Sequence, residues 1–136
     1  MSRSEAKSDE SGRLRDRRAE LARYVDGWRA RGRRREASAR AWQGEAKARA
    51  EQVVAMLVRD YSVTGVVLFG SVAQGRGAPG SDVDLLVEGL EGERYFEASA
   101  AARGIMRDIE IDLVPRQWAR AGVLERAYRE GIRLLG

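Results

Sequence analysis

The 136-residue chain contains no cysteine and no histidine. The first absence excludes disulfides and thiolate metal sites. The second removes His-ligated zinc, Ser-His-Asp triads and imidazole acid–base catalysis. A metal, if one is held, must be held by oxygen, which points to magnesium, manganese or calcium. Proline occurs only twice, and none lies between Leu14 and Tyr61. No apolar run approaches the roughly 20 residues that span a bilayer, and the polar stretch Met1–Gly12 lacks the apolar core of a signal peptide. The expectation is therefore a soluble cytoplasmic protein with no membrane partner.

What is present is unevenly distributed. The net charge is +4. Residues 1–50 carry 15 basic and 8 acidic side chains, a balance of +7, whereas residues 51–136 carry 10 and 13, a balance of −3. The basic and acidic parts are expected to be different physical objects. Residues 1–12 are rich in Ser, Glu, Asp and Lys and read as an unstructured start. Residues 13–49 read as a basic helical extension built of Ala, Arg, Glu and Gln. Leu14, Leu21 and Trp28, seven apart, give it a narrow apolar stripe. The run Gly32–Arg35 is an expected break or bend. Residues 50–136 form the expected domain, fed by a helix over 41–61 in which Ala50, Val53, Val54, Leu57, Val58 and Tyr61 recur at helical spacing.

The period then changes. Val63–Phe69 reads as a buried strand, residues 70–81 as a glycine-rich loop, and Asp82–Val87 as a second strand. Residues 93–106 place Tyr95, Phe96, Ser99, Ala102, Ile105 and Met106 toward one helical face. Asp108–Val114 alternates as a third strand closed by Pro115, Val123–Tyr128 marks a last helix, and Ile132–Leu135 a terminal strand.

Residues two apart on a strand point the same way, so Asp82 and Asp84 would be held side by side. Two such carboxylates repel unless a cation sits between them, and magnesium supplies that cation with hard oxygen ligands. Gly70-Ser71 directly follows the first strand. Glycine permits close backbone approach, and Ser71 can open a short helical turn whose free N–H groups attract phosphate. A phosphate site eleven residues from a metal site suggests a metal-bound nucleoside triphosphate. On the third strand, Glu110 and Asp112 share a face, and either could complete a three-acid cluster of the kind used in two-metal phosphoryl or nucleotidyl transfer. Ser81 is positioned to end the loop or to brace Asp82.

Gly70-Ser71-Val72-Ala73-Gln74-Gly75, followed by Ser81-Asp82-Val83-Asp84-Leu85-Leu86-Val87, resembles the signature of the DNA polymerase β-type nucleotidyltransferases, and most closely the minimal nucleotidyltransferase (MNT) branch. Ile111-Asp112-Leu113 is similar to that family's later apolar–Asp–apolar strand, so the resemblance gives the third-acid role to Asp112 rather than Glu110. It implies an α/β fold, a small mixed sheet with packed helices. It also implies ATP as substrate, one or two Mg2+ ions held by Asp82, Asp84 and Asp112, and a nucleotide contacted by Gly70, Ser71, Arg76 and Ser81. The family often has Arg where Gln74 stands, and Arg76, two residues on, is the replacement the local sequence offers. Members of the branch serve as antitoxins that bind a helical HEPN ribonuclease toxin and attach AMP to it; the resemblance implies that partner and that role here. Two other readings compete. One is a binding module that neutralises a partner by masking. The other is a nucleic-acid binder acting through its N-terminal arginines. The apolar stripe of residues 13–49 could dock on a partner helix or on a second copy of the chain, making a homo-oligomer, and a packing role is expected of Trp28 and Trp42.

Overall fold

The computed structural model describes the backbone of residues 3–136 and side chains from residue 10 onward. The expected unstructured start falls partly outside the described residues, at positions 1 and 2. From Arg3 on, the backbone belongs to helix α1 (Arg3–Tyr61), a departure explained by the helix formers Glu5, Ala6, Lys7 and Glu10 and by the lack of proline. The expected break at Gly32–Arg35 is absent as well, and α1 runs through it. An isolated glycine among arginines and alanines costs about 1 kcal/mol of helix propensity, too little to end a helix.

The chain divides into two compact units, Met1–Ala37 and Ser38–Gly136. In the first, Leu14, Leu21, Tyr24 and Trp28 are all more than half exposed. The second holds the sheet. Ahead of residue 50, Ala46 is fully buried and Trp42 packs against the same core. Trp42 thus has the packing role expected of it, and Trp28 is exposed.

α1 ends where the backbone turns left-handed at Ser62 (φ 55°), with the N–H groups of Ser62 and Val63 donating to the carbonyls of Val58 and Leu57. There follow β1 (Gly65–Phe69), β2 (Val83–Glu88), α2 (Tyr95–Met106), β3 (Ile111–Pro115), α3 (Ala121–Glu130) and β4 (Ile132–Leu135). Short 3-10 turns at Gly92–Arg94 and Arg116–Trp118 precede α2 and α3. The four strands form one sheet in the order β3-β2-β1-β4, with β2 and β3 parallel and the other pairs antiparallel. This is the mixed α/β sheet expected.

β1 is buried along its whole length, as its uninterrupted apolar run requires of an interior strand. The two faces of the sheet carry two cores. Val66, Leu68, Val83, Leu85, Val87 and Leu113 pack with Val53 and Leu57 of α1 and with Ala98, Ala102 and Met106 of α2. On the other face Val67, Phe69 and Leu86 pack with Ala127 and its neighbours Val123 and Leu124 of α3. Of the face expected for α2, Ser99, Ala102 and Met106 are buried, but Phe96 is 76% exposed. It lies one residue, about 100° of helix, from Tyr95, which turns toward the core.

Candidate active site

Alternation on β2 sends Val83, Leu85 and Val87 into the α1/α2 core and leaves Asp84 on the α3 face with Leu86. On β3 the same rule puts Leu113 in the core and Asp112 opposite. Because β2 and β3 are parallel in register Asp84↔Asp112, the two carboxylates are direct cross-strand neighbours. β1 adds the third element. Its last residue, Phe69, pairs with Asp84, so Gly70 comes to lie against that carboxylate. Gly70 has φ +80°, and a Cβ built there would collide with Asp84 Oδ2. Glycine is therefore needed twice over, for its backbone angle and for the space of the carboxylate.

Gly70, Asp84 and Asp112 line one cleft of about 410 Å3 together with Trp118, Arg120 and Arg126. The Asp84 carboxyl is pushed up to about 6, by burial first and then by the nearby charges of Asp112 and Asp82, with Arg126 partly offsetting them. A carboxylate crowded by two others, in a half-buried site with oxygen donors only, suits a hard divalent cation. Among the described residues, however, no three acidic side chains converge closely enough to hold a metal as they stand. Asp82 precedes β2 instead of starting it, is exposed and is not among the residues lining the cleft, although its charge still acts on Asp84.

The remaining expected residues separate into two groups. Gly70 lines the cleft, and Ser71 begins a hydrogen-bonded turn in which Gln74 N–H donates to Gly70 O (3.3 Å) and Arg76 N–H to Ser71 O (2.9 Å). Arg76 and Ser81 are elsewhere: Arg76 donates to the side chain of Gln74, and Ser81 closes the loop, its N–H donating to Ala78 O and its Oγ accepting from Ala78 N–H. Glu110 lies ahead of β3 and faces α2, beside Ser99 and Arg103, away from the cleft.

Sequence reasoning missed several contributors. Gln43 of α1 clamps the turn after Gly70: its Nε2 donates to Val72 O (2.5 Å) and its Oε1 accepts from Gly77 N–H (2.9 Å). Gly77 sits so close to Gln43 and Trp42 that a Cβ would collide with them. Trp118, 53% exposed, is held at the cleft by an edge-to-face contact with Tyr95, ring centroids 5.0 Å apart, and by Gly92, whose Cβ would come within 2.9 Å of the indole. Arg120 and Arg126 are the cleft's cations. Only the spacing Arg120–Val123–Ala127, which sets which side of α3 faces the sheet, could have flagged them.

A nucleotidyltransferase-domain family model matches residues 50–133. The chain belongs to that nucleotidyltransferase family. No curated protein matches it by sequence. Among solved structures it is similar to one of a toxin–antitoxin with AMP-PNP, at 26% identity and a TM-score of 0.55 over 63% of this chain and 73% of that one. It is also similar to a candidate minimal nucleotidyltransferase, at 29% identity and a TM-score of 0.54 over 66% of this chain and 93% of that one. A mutant of the toxin–antitoxin MntA–HpeT gives 26% and 0.53 over 63% and 72%. The resemblance to the minimal branch seen in the Gly-Ser and Asp-x-Asp motifs thus extends to the fold, and this nucleotidyltransferase has its acidic pair and its glycine at the ends of adjacent strands. Among the described residues no helix is long and apolar enough to cross a membrane.

Proposed function

We propose that this nucleotidyltransferase moves AMP from ATP, with Mg2+, onto a hydroxyl of a partner protein, and that the partner is a helical HEPN-type ribonuclease toxin for which it is the antitoxin. The observation that carries the chemistry is the in-register pair Asp84 and Asp112 beside Gly70 at one cleft. The similarity to a toxin–antitoxin with AMP-PNP supports the nucleotide and the kind of partner.

In this reading Asp84 and Asp112, joined by a rotated Asp82, would hold the divalent ion, which when bound neutralises phosphate charge. Gly70 and Ser71 present backbone to the terminal phosphates without a side chain in the way. Asp112, on the strand next to Asp84, orients the acceptor hydroxyl and takes its proton. The acceptor oxygen bonds to the α-phosphorus, the bond from that phosphorus to the bridging oxygen breaks, and pyrophosphate leaves with the electron pair. The clamp from Gln43 keeps the Gly70–Gly77 turn in place during binding.

Masking without transfer is the second reading, favoured by the outlying position of Asp82. Incubation with labelled ATP, magnesium and a helical HEPN-type partner separates the two. The wild type should label the partner and an Asp82→Asn/Asp84→Asn variant should not. Label transfer that survives the double substitution would overturn the catalytic assignment. Tight binding by wild type with no transfer would establish the masking module instead. If the N-terminal arginines bind nucleic acid, that affinity should fall steeply with salt and vanish when residues 1–40 are removed.

A further inference from the structure

The family resemblance places an arginine where this chain has Gln74, and the structure shows what has happened to that charge. Gln74 reaches across to α3, its Nε2 donating to Glu130 Oε2 at 3.1 Å, and Arg76 is occupied in turn with Gln74. Neither side chain lines the cleft. Arg126 does. It lies four residues, one helical turn, before Glu130, which puts the two residues on the same side of α3. The ion pairs that α3 makes among the described residues belong to Arg129, with Glu125 and Glu130. Arg126 feels the charge of Asp84 but closes no ion pair with it.

An arginine at the wall of an acidic cleft, with no hydrogen bond or ion pair of its own among the described residues, is suited to an anion that would also reach a cation held by Asp84 and Asp112. A triphosphate has the length and charge to do both, whereas a nucleoside has neither. Arg120, at the start of α3, lines the same cleft and adds a second positive charge.

We propose that Arg126, assisted by Arg120, is the polyphosphate-binding cation of this site, replacing from α3 the arginine absent at position 74. The inference rests on the transferase reading for its substrate class, a nucleoside triphosphate. It concerns binding, and so it can stand or fall separately from transfer.

The test measures binding of ATP and of adenosine by the full chain in magnesium, by titration calorimetry. Wild type should bind ATP at least about tenfold more tightly than adenosine. Arg126→Ala should weaken ATP by about tenfold or more and adenosine by less than about twofold, and Arg126→Lys should recover part of the loss as a point charge without the fork. Arg129→Ala, a neighbour on α3 whose charge is paired outside the cleft, should leave both ligands within about twofold. An ATP affinity for Arg126→Ala within twofold of wild type overturns the proposal. So does an equal loss for adenosine, or a wild type that does not prefer ATP. Should Arg126→Ala unfold, Arg126→Lys carries the comparison, and an ATP affinity equal to wild type with no dependence on the guanidinium or on Arg120→Ala is then the refuting result. Selective ATP binding that depends on Arg126, without transfer to a partner, would sustain this assignment while overturning the transferase. Transfer unaffected by Arg126→Ala would do the reverse.

Discussion

Replacing Asp84 by asparagine should stabilise the fold while removing a ligand of the proposed metal site. The Asp84 carboxyl is raised from 3.8 to about 6, by burial first and then by Asp112 and Asp82. Its folded pKa exceeds its unfolded value, so the native state binds the extra proton between those two values. Stability therefore falls as pH rises through that window, and above about 6 the full penalty of holding the charge is present. A rise from 3.8 to about 6 corresponds to an upper bound of about 3 kcal/mol, and partial solvent access to the cleft reduces this to roughly 1–2 kcal/mol. Asparagine keeps the shape and removes the charge. For a domain of this size the gain is about 5–10 °C in melting temperature. The assay is thermal unfolding in EDTA, at about pH 7.5 and again near pH 4, followed by a repeat with magnesium. Asp84→Asn should melt higher than wild type at the upper pH, and the difference should shrink to a small remainder at the lower. Magnesium should raise the melting temperature of wild type alone, since only wild type keeps the ligand. An asparagine variant that melts no higher than wild type in EDTA, or whose advantage is the same at both pH values, would refute the reasoning.

Gly70→Ala should cost about 1–2 kcal/mol from the left-handed backbone alone, plus displacement of Asp84. Magnesium-dependent stabilisation, read by thermal unfolding, should be lost with it. Gln43→Ala removes both bonds to the glycine turn and should lower stability by about 1–3 kcal/mol, with faster amide exchange at Gly77 and a raised KM for ATP. Leu85→Ala, in the centre of the α1/α2 core, should cost about 2–5 kcal/mol in denaturant unfolding. Deleting residues 1–37 should leave the melting transition of the remaining unit within about 1 kcal/mol of the full chain, because the compact unit begins at Ser38; a collapse in stability would show that the division is wrong.

Much of the fold was legible from periodicity. The change of period after Tyr61 marks the start of the sheet, and the apolar run Val66–Phe69 requires an interior strand. The direction of Asp84 was legible from the alternation of β2, whereas alternation left Glu110 and Asp112 open and only the family resemblance singled out Asp112; the register of β2 and β3 puts Asp112 beside Asp84. Boundaries and long-range partners were not legible. The continuation of α1 through Gly32–Arg35 depends on small propensity differences that local sequence does not resolve. Phe96 shows the same limit: helical spacing places it near the edge of the apolar face, and packing turned Tyr95 inward instead.

By itself the sequence determined which chemistry was available. Without cysteine or histidine only oxygen can hold a metal, and Gly70-Ser71 followed by Asp82-x-Asp84 pointed to phosphate and a cation. Tertiary structure decided which of those residues meet. The parallel register of β2 and β3 puts Asp112 beside Asp84, the start of β2 at Val83 leaves Asp82 outside the cleft, and the packing of α3 on that face brings Arg126 where Arg76 does not reach. The physical reason is that strand alternation is a local rule carried by every two residues, whereas register and helix docking are settled by the burial of whole faces.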